Sequence, residues 1–447
     1  MNLKSIYNIY FVGIGGIGMS AIARYFSVNG KNVGGYDKTT SSIISDLQKI
    51  NIDIHFEDAI GNIPMCFLNK DSTLVVYTPA IPVSNKELSY FIDNNFQVLK
   101  RAEILGKITE NTFCLGVAGT HGKTTTSSIL GHIMEPLKAT AFLGGITENY
   151  NSNLILGDDK ISVVEADEFD RSFLSLSPNI ACITSVDADH LDVYGDHGGL
   201  LKSFSDFSNK VSDTLIVAKG LPMKGLTYAV DEKADFKGYN LRIENGTYIF
   251  DVDTPLESVT DIVFNLPGRH NIMNALAALA MANTYGVSLK QIKKQLGTFK
   301  GVKRRFSYKI KTNSFVLIDD YAHHPTEIKA VEESIREMYS GKEVLVIFQP
   351  HLFSRTADFA DDFGKELSKF DEVVLLDIYP ARELPIEGIT SSWLLEKIDS
   401  KKKHLGTKDS LKEIILNSSA KIVVMLGAGD IGLLVDDVKN ILEKEYQ

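Results

Sequence analysis

Residues 117–126 read VAGTHGKTTT, and the way this stretch is taken decides how the rest of the chain is read. It follows the apolar run Phe113-Cys114-Leu115-Gly116-Val117 and carries a Gly-Lys-Thr of the kind that grips phosphate. The strict pattern G-x-x-x-x-G-K-[ST] fails, because Val117 stands where its first glycine belongs. Gly119 and Gly122 still allow a tight loop whose amides turn inward. Lys123 offers a compact positive charge to β- and γ-phosphates, and the Thr124 hydroxyl is a ligand type for Mg2+. A helix expected from Thr125 to Met134 aims its positive end at the same phosphates. The expectation is an ATP loop of altered shape, made of Gly119, Thr120, His121, Gly122, Lys123, Thr124 and Thr125.

Such a loop needs acidic partners for its metal. VVEADEFD, residues 163–170, closes a strand-like run with Glu165, Asp167, Glu168 and Asp170, and Glu165 is the metal-ligand candidate. A second strand-like run ends in SVDADHLDVYG, residues 185–195, where His190 sits among Asp189 and Asp192. His190 is a candidate ligand for a second Mg2+. The expected metal set is Thr124, Glu165 and His190, and the expected catalytic set Lys123, Glu165 and His190.

GIGGIG at residues 13–18 fits the dinucleotide fingerprint G-x-G-x-x-G without a flaw. The strand Tyr10-Phe11-Val12 precedes it, and Met19 to Ala23 continues as a helix. Asp37 lies 19 residues past Gly18, where an acid can accept hydrogen bonds from ribose hydroxyls. The motif alone does not choose between NAD and another diphosphate such as a UDP-sugar. GAGDIG at 427–432 fits the same pattern at the chain's end, with no second βαβ half after it, and reads as a structural turn.

The 447 residues are enough for about three domains. Composition is 44% apolar and 23% charged, and no run approaches the ~18 apolar residues that span a bilayer. Met1 to Ser5 has no signal-peptide pattern. Cys66, Cys114 and Cys182 form neither a disulfide framework nor a zinc pattern, which points to a reducing cytosol and a cytoplasmic protein. A net charge of −10 opposes nonspecific nucleic-acid binding. Short β-branched runs alternate with helical patterns at 270–285, 325–339, 356–369 and 431–444, the signature of parallel sheets covered by helices on both faces. Asn245-Gly246 marks one hairpin. This rhythm divides an α/β chain into units 1–105, 106–305 and 306–447.

GTHGKTTT, EADE, DADHLD, GRHNIMNALAALA and DDYAHHPTE occur in this order along the chain, which thereby resembles the Mur ligases, the ATP-dependent amide-bond formers of peptidoglycan precursor synthesis. GIGGIGMS, TPAIP, RAEIL, QPHLFSRT and YPARELPIEG are similar to the branch that joins L-alanine to UDP-N-acetylmuramic acid; the sister branch reattaches recycled tripeptide to the same UDP-sugar. The resemblance implies three domains: an N-terminal Rossmann-like UDP-binding domain, a central P-loop ATPase domain with a mixed sheet, and a C-terminal Rossmann-like domain for the amino acid. It implies UDP-sugar contacts from Gly13, Gly15, Gly16, Ile17, Gly18, Asp37, Thr78 and Asn85. It adds His270, Asn271, Asn274, Arg304 or Arg305, and Asp320 to the ATP site, and assigns Tyr321, His324, His351 and Arg355 to the amino acid. Two Mg2+ ions, ATP, UDP-N-acetylmuramic acid and L-alanine are the implied ligands, with neither nucleic acid nor membrane among the partners and the oligomeric state open. Two departures stand out, Asp-Glu-Phe-Asp at 167–170 and His-Leu-Phe-Ser-Arg-Thr at 351–356. The place of the carbamylated lysine of several Mur ligases falls near Phe204, so none is expected. An NAD-dependent oxidoreductase leaves Lys123, Thr124, Glu165 and His190 unexplained, and a nucleotide-binding regulator has no need of His351 and Arg355.

Overall fold

The computed structural model describes Leu3 and residues 6–187, 194–244, 247–381 and 383–446. Three sheets organise them. The first joins β1 (Asn8–Val12), β2 (Asn32–Tyr36), β3 (Asp53–His55), β4 (Thr73–Tyr77) and β5 (Gln97–Lys100) in the order β3-β2-β1-β4-β5. All of its pairings are parallel. Alternation puts Ile9 and Phe11 of β1 in one core and Tyr10 and Val12 in another, so both faces are covered.

The second sheet has ten strands: β6 (Phe113–Ala118), β7 (Thr140–Thr147), β8 (Ser152–Ile155), β9 (Ile161–Glu165), β10 (Ile180–Ile183), β11 (Thr214–Ala218), β12 (Leu226–Val230), β13 (Phe236–Glu244), β14 (Thr247–Asp253) and β15 (Ser258–Phe264). Their order is β15-β14-β13-β12-β11-β10-β6-β9-β7-β8. It is mixed, because β7 and β8 run antiparallel while β6 is parallel to both β9 and β10. That central position of β6 brings the ends of β9 and β10 to either side of the loop that leaves it. The expected hairpin turn Asn245-Gly246 lies outside the described residues, between β13 and β14.

The third sheet contains β16 (Ser307–Lys311), β17 (Val316–Asp320), β18 (Val344–Phe348), β19 (Glu372–Leu375), β20 (Lys402–Leu405) and β21 (Ile422–Leu426) in the order β16-β17-β21-β18-β19-β20. Only β16 pairs antiparallel. Val344 and Val346 face one core and Leu345 and Ile347 the other. The single helix expected over 356–369 is instead two, Phe353–Asp358 and Ala360–Leu367, broken at Phe359. The chain forms two compact units: one holds residues up to Arg242 with Ile249–Phe264 and Met273–Lys300, the other Ile243–Tyr248, Asn265–Ile272 and everything from Gly301. Among the described residues no helix is long and apolar enough to cross a membrane.

Candidate active site

In the first unit, β6 ends at Ala118 and the helix Lys123–Met134 begins five residues later. Two glycines between them are obligatory. Gly119 has φ +136°, and a Cβ there would lie 2.0 Å from Thr184 Oγ1 at the end of β10. Gly122 caps the helix at φ +81°, and its Cβ would lie 2.5 Å from Asn274 Oδ1. Left-handed backbone and close approach together exclude a side chain at either place. Val117 needs no such freedom: it is an ordinary, fully buried residue of β6. The loop is braced from β10, with Thr120 N donating to Ser185 O (3.1 Å), His121 N to Ser185 Oγ (2.8 Å) and Thr184 Oγ1 to His121 O (2.5 Å). Thr125 is buried in the first turn of the helix.

Lys123 folds back over this loop. Its Nζ donates to Gly119 O at 2.7 Å and to Glu168 Oε1 at 2.8 Å. Burial pulls the ammonium pKa down, but Glu168, Asp167 and Glu165 outweigh it and hold the group above the ordinary lysine value. Thr124 Oγ1 donates to Glu165 Oε1 at 2.9 Å, which brings two of the three expected metal ligands together. Glu165 Oε2 accepts from Gly144 N at 2.9 Å, and a Cβ on Gly144 would lie 2.3 Å from that oxygen. A hydroxyl and a carboxylate are the hard oxygen donors that Mg2+ takes, and it keeps several waters besides. Among the described residues no three His, Cys, Asp or Glu side chains cluster as a metal cage. His190 lies outside the described residues, as do Asp189 and Asp192.

The N-terminal loop is shaped by its neighbours in the first sheet. Gly13 N and Ile14 N donate to Tyr36 O (2.8 and 3.1 Å), and Gly15 N donates to Asp37 Oδ2 (2.8 Å). Asp37 thus holds the loop itself, a role the ribose expectation did not include. Gly13 has φ +86° and packs under Thr78. Gly16, Ile17, Gly18 and Thr78 line a cleft of about 260 Å3 together with Gly144, Glu165 and Asp167, so the N-terminal loop shares its cleft with the carboxylate that Thr124 contacts. Asn85, expected at the UDP-sugar, is buried, and its Oδ1 accepts from Leu88 N at 2.8 Å as the N-cap of the helix Lys86–Asp93. Beneath the loop, Asp37 N donates to His55 O (3.2 Å), and His55 Nε2 lies 2.8 Å from the Tyr10 hydroxyl. That hydroxyl donates to Glu87 Oε2 at 2.6 Å. Glu87 is fully buried, and burial pushes its carboxyl up to about 7.

In the second unit, Gly268 at φ +95° leads into the helix Arg269–Tyr285, where His270 and Asn271 stand in the first turn. Asn271 Nδ2 donates to Pro267 O at 2.6 Å. Burial, and then the charge of Arg305, pushes His270 down to about 4, so its ring is neutral at pH 7. Arg304 and Arg305 part company. Arg304 has φ +61°, with Nε 3.4 Å from Asp319 Oδ1 and Nη2 2.5 Å from Gly427 O. Arg305 instead lies beside Glu327 (3.7 Å), while both guanidiniums sit over the Tyr321 ring, at 5.0 Å for Arg304 and 5.3 Å for Arg305. Asp320 uses both carboxylate oxygens on backbone amides, from Phe306 N (2.6 Å) and Ala322 N (2.7 Å). This residue, which the resemblance gives to the ATP site, thus also pins the strand end, and burial raises it to about 6.

The adjacent histidines take opposite places. His324 is a buried N-cap whose Nδ1 accepts from Thr326 N at 3.4 Å, its ring 4.7 Å from that of Phe359. His323 faces His351 instead, at 5.9 Å between rings, and also Tyr321 at 5.3 Å. Burial lowers its pKa, Glu327 opposes this and the nearby Arg355 charge adds to it. Leu352 between His351 and the Phe353–Asp358 helix is held at φ +72°. Glu383 clamps that helix start, accepting from Ser354 N (3.0 Å) and Ser354 Oγ (2.5 Å). Sequence reasoning missed His323, Glu383, Gly144 and Glu168; only the acidic cluster around Glu165 hinted at the last.

Three family descriptions match successive segments: "Mur ligase family, catalytic domain" over residues 8–112, "Mur ligase middle domain" over 117–282 and "Mur ligase, glutamate ligase domain" over 304–434. The UDP-N-acetylmuramate–L-alanine ligase of Flavobacterium psychrophilum is 58% identical, with 100% of each chain covered. That of Flavobacterium johnsoniae is 57% identical over 99% of this chain and 100% of its own. The solved structure of the UDP-N-acetylmuramate-alanine ligase from Thermotoga maritima aligns with a TM-score of 0.83 at 27% identity, covering 98% of this chain and 99% of that one. A murein peptide ligase from Psychrobacter arcticus, at 21% identity and a TM-score of 0.69 over 98% of each chain, shares the fold. Loops, strand ends and full-length kinship agree, and the chain belongs to the Mur ligase family.

Proposed function

We propose that this chain is the ATP-dependent ligase that joins L-alanine to the lactyl carboxylate of UDP-N-acetylmuramic acid in peptidoglycan precursor synthesis. One observation carries the reading: Glu165, held by Thr124 of the phosphate loop, lines the same cleft as the N-terminal glycine loop. A sugar nucleotide and the γ-phosphate of ATP have a common meeting place there. Kinship with full-length relatives that bear this name supports the choice of amino acid.

A carboxylate and an amine do not condense unaided in neutral water. A lactyl carboxylate oxygen attacks the γ-phosphorus, the bond to the ADP oxygen breaks, and an acyl phosphate forms. The alanine amine, as free base, then attacks the acyl carbon, and the tetrahedral intermediate releases a proton and inorganic phosphate to leave the amide. Lys123, exchanged from Glu168, neutralises the transferring phosphoryl group. Mg2+, for which Thr124 and Glu165 supply donors, would screen the approach of carboxylate to phosphate.

The loop at Gly13–Gly18 with Thr78 takes the UDP moiety. Arg305 is taken as the arginine for ATP phosphates, its Glu327 pairing at 3.7 Å being longer than the contacts of Arg304 with Asp319 (3.4 Å) and Gly427 O (2.5 Å). Tyr321, His323, His351 and Arg355 receive alanine, the guanidinium meeting its carboxylate. The domains are read as 1–105, 106–305 and 306–447, and the site of action as the cytosol. The test supplies UDP-N-acetylmuramic acid, Mg-ATP and single amino acids, and follows phosphate and joined product. L-Alanine-dependent phosphate is expected; phosphate released only with the recycled tripeptide would transfer the chain to the recycling branch.

A further inference from the structure

Arg101 opens the helix Arg101–Thr109 directly after β5. Its Nη2 lies 2.9 Å from Asp167 Oδ2, while Lys100 beside it pairs with Asp170 at 3.1 Å. The Lys-Arg junction is thus neutralised by the acidic turn after β9. That turn is held in an uncommon backbone, with φ +53° at Asp170 and +55° at Arg171. On its other side Arg101 presses against the N-terminal glycine loop. A Cβ on Gly18 would lie 2.7 Å from Arg101 Nη1 and 3.1 Å from its Cδ. The third glycine of the fingerprint ordinarily lets helix and strand pack closely. Here it makes room for a guanidinium.

Charge decides what that guanidinium is for. Among the described residues lining the 260 Å3 cleft, Arg101 is the only basic one, set against Glu165 and Asp167. A diphosphate entering this lining adds negative charge to a surface that already carries an excess of it. The planar fork of an arginine matches phosphate oxygens two at a time and suits such a role better than a lysine.

We infer that Arg101 is the diphosphate receptor of the nucleotide-sugar site, kept in place by Asp167 until the ligand takes over one side of its fork. The inference rests on the reading of the cleft as a UDP-sugar site. Gly18 is its positioning residue.

Calorimetry with UDP, UDP-N-acetylglucosamine and UDP-N-acetylmuramic acid tests it on the full chain. Arg101→Met should weaken all three ligands by a similar factor, roughly 10- to 100-fold for a lost charge-assisted contact. Arg101→Lys should recover part of the loss and remains informative where the Met variant does not fold. ADP affinity and the melting temperature report that the rest of the protein is intact. Gly18→Ala should weaken UDP in the parent and add little in Arg101→Met, because both act through one guanidinium. UDP binding that survives Arg101→Met and Arg101→Lys unchanged overturns the assignment. So does a loss confined to UDP-N-acetylmuramic acid, which would put Arg101 on the lactyl carboxylate. A parent protein that binds no UDP refutes the reading of the cleft instead.

Discussion

Two G-x-G-x-x-G loops follow strands and open helices in this chain, and they end up opposite in kind. The N-terminal one is closed at Gly15 and Gly18, where a Cβ would lie 2.9 Å from Asp37 Oδ2 and 2.7 Å from Arg101 Nη1, but open at Gly16, where a Cβ would find nothing nearer than 3.7 Å. The C-terminal one is filled by the chain itself. A Cβ on Gly429 would lie 2.4 Å from Gln349 Oε1, and one on Gly432 2.4 Å from Arg304 Cζ. Gln349 Oε1 accepts from Ile431 N at 2.9 Å, taking the amide a ligand would need, and its Nε2 donates to Asp430 at 2.8 Å. The pattern guarantees that something approaches the backbone closely. What approaches is decided elsewhere in the sequence, by Gln349 and Arg304 in one case and by Asp37 and Arg101, which leave Gly16 uncovered, in the other.

The largest effect tests whether the N-terminal loop holds a nucleotide of its own. Lys123→Ala should lower kcat at least ~1,000-fold while UDP affinity stays within about twofold. Loss of UDP binding in that variant would show that the phosphate loop and the glycine loop are not separate sites.

A pair of glycine substitutions sharpens the contrast directly. Gly429→Ala should cost roughly 1–3 kcal/mol of stability through overpacking, read by denaturant unfolding. Gly16→Ala should change stability by less than about 0.5 kcal/mol and weaken UDP roughly tenfold, because its Cβ points where a ligand belongs. Equal destabilisation by both substitutions would erase the distinction.

The smallest effect concerns the polar network under the N-terminal loop. Glu87 titrates near 7 in the folded protein against an ordinary value of 4.5, so its proton favours folding at low pH. That contribution is complete below about 4.5 and is lost as pH rises through about 7. The melting temperature of Glu87→Gln relative to the parent should therefore climb between these limits and level off above them. A difference that is flat with pH would mean that Glu87 titrates normally.

Much of this was legible in the sequence, and the failures have physical causes. Parallel strands buried on both faces announce themselves as apolar runs, so β6, β18 and β21 were evident. Thr124 and Glu165 were found because each ends or follows such a run. Gly144 escaped because β7 carries two glycines and breaks the apolar rhythm, yet it is the amide of this strand that holds Glu165. His323 and His324 are neighbours in sequence, and only the rotation of the chain entering the helix at Pro325 sends one into the core and the other toward His351. Asn85 and Asp320 carry a structural task that the sequence did not show, their oxygens accepting from backbone amides.

The partnership of Lys123 with Glu168 has a consequence for selectivity. In the proposed reaction this ammonium meets a triphosphate, and an anion is already attached to it by the chain, so every incoming phosphate would compete with a tethered rival. A singly bonded anion such as inorganic phosphate has little with which to displace that rival. A nucleotide that also engages the loop amides and Thr124 gains enough elsewhere to do so. On the proposed reading the carboxylate is a threshold that favours ATP over the phosphate the reaction leaves behind.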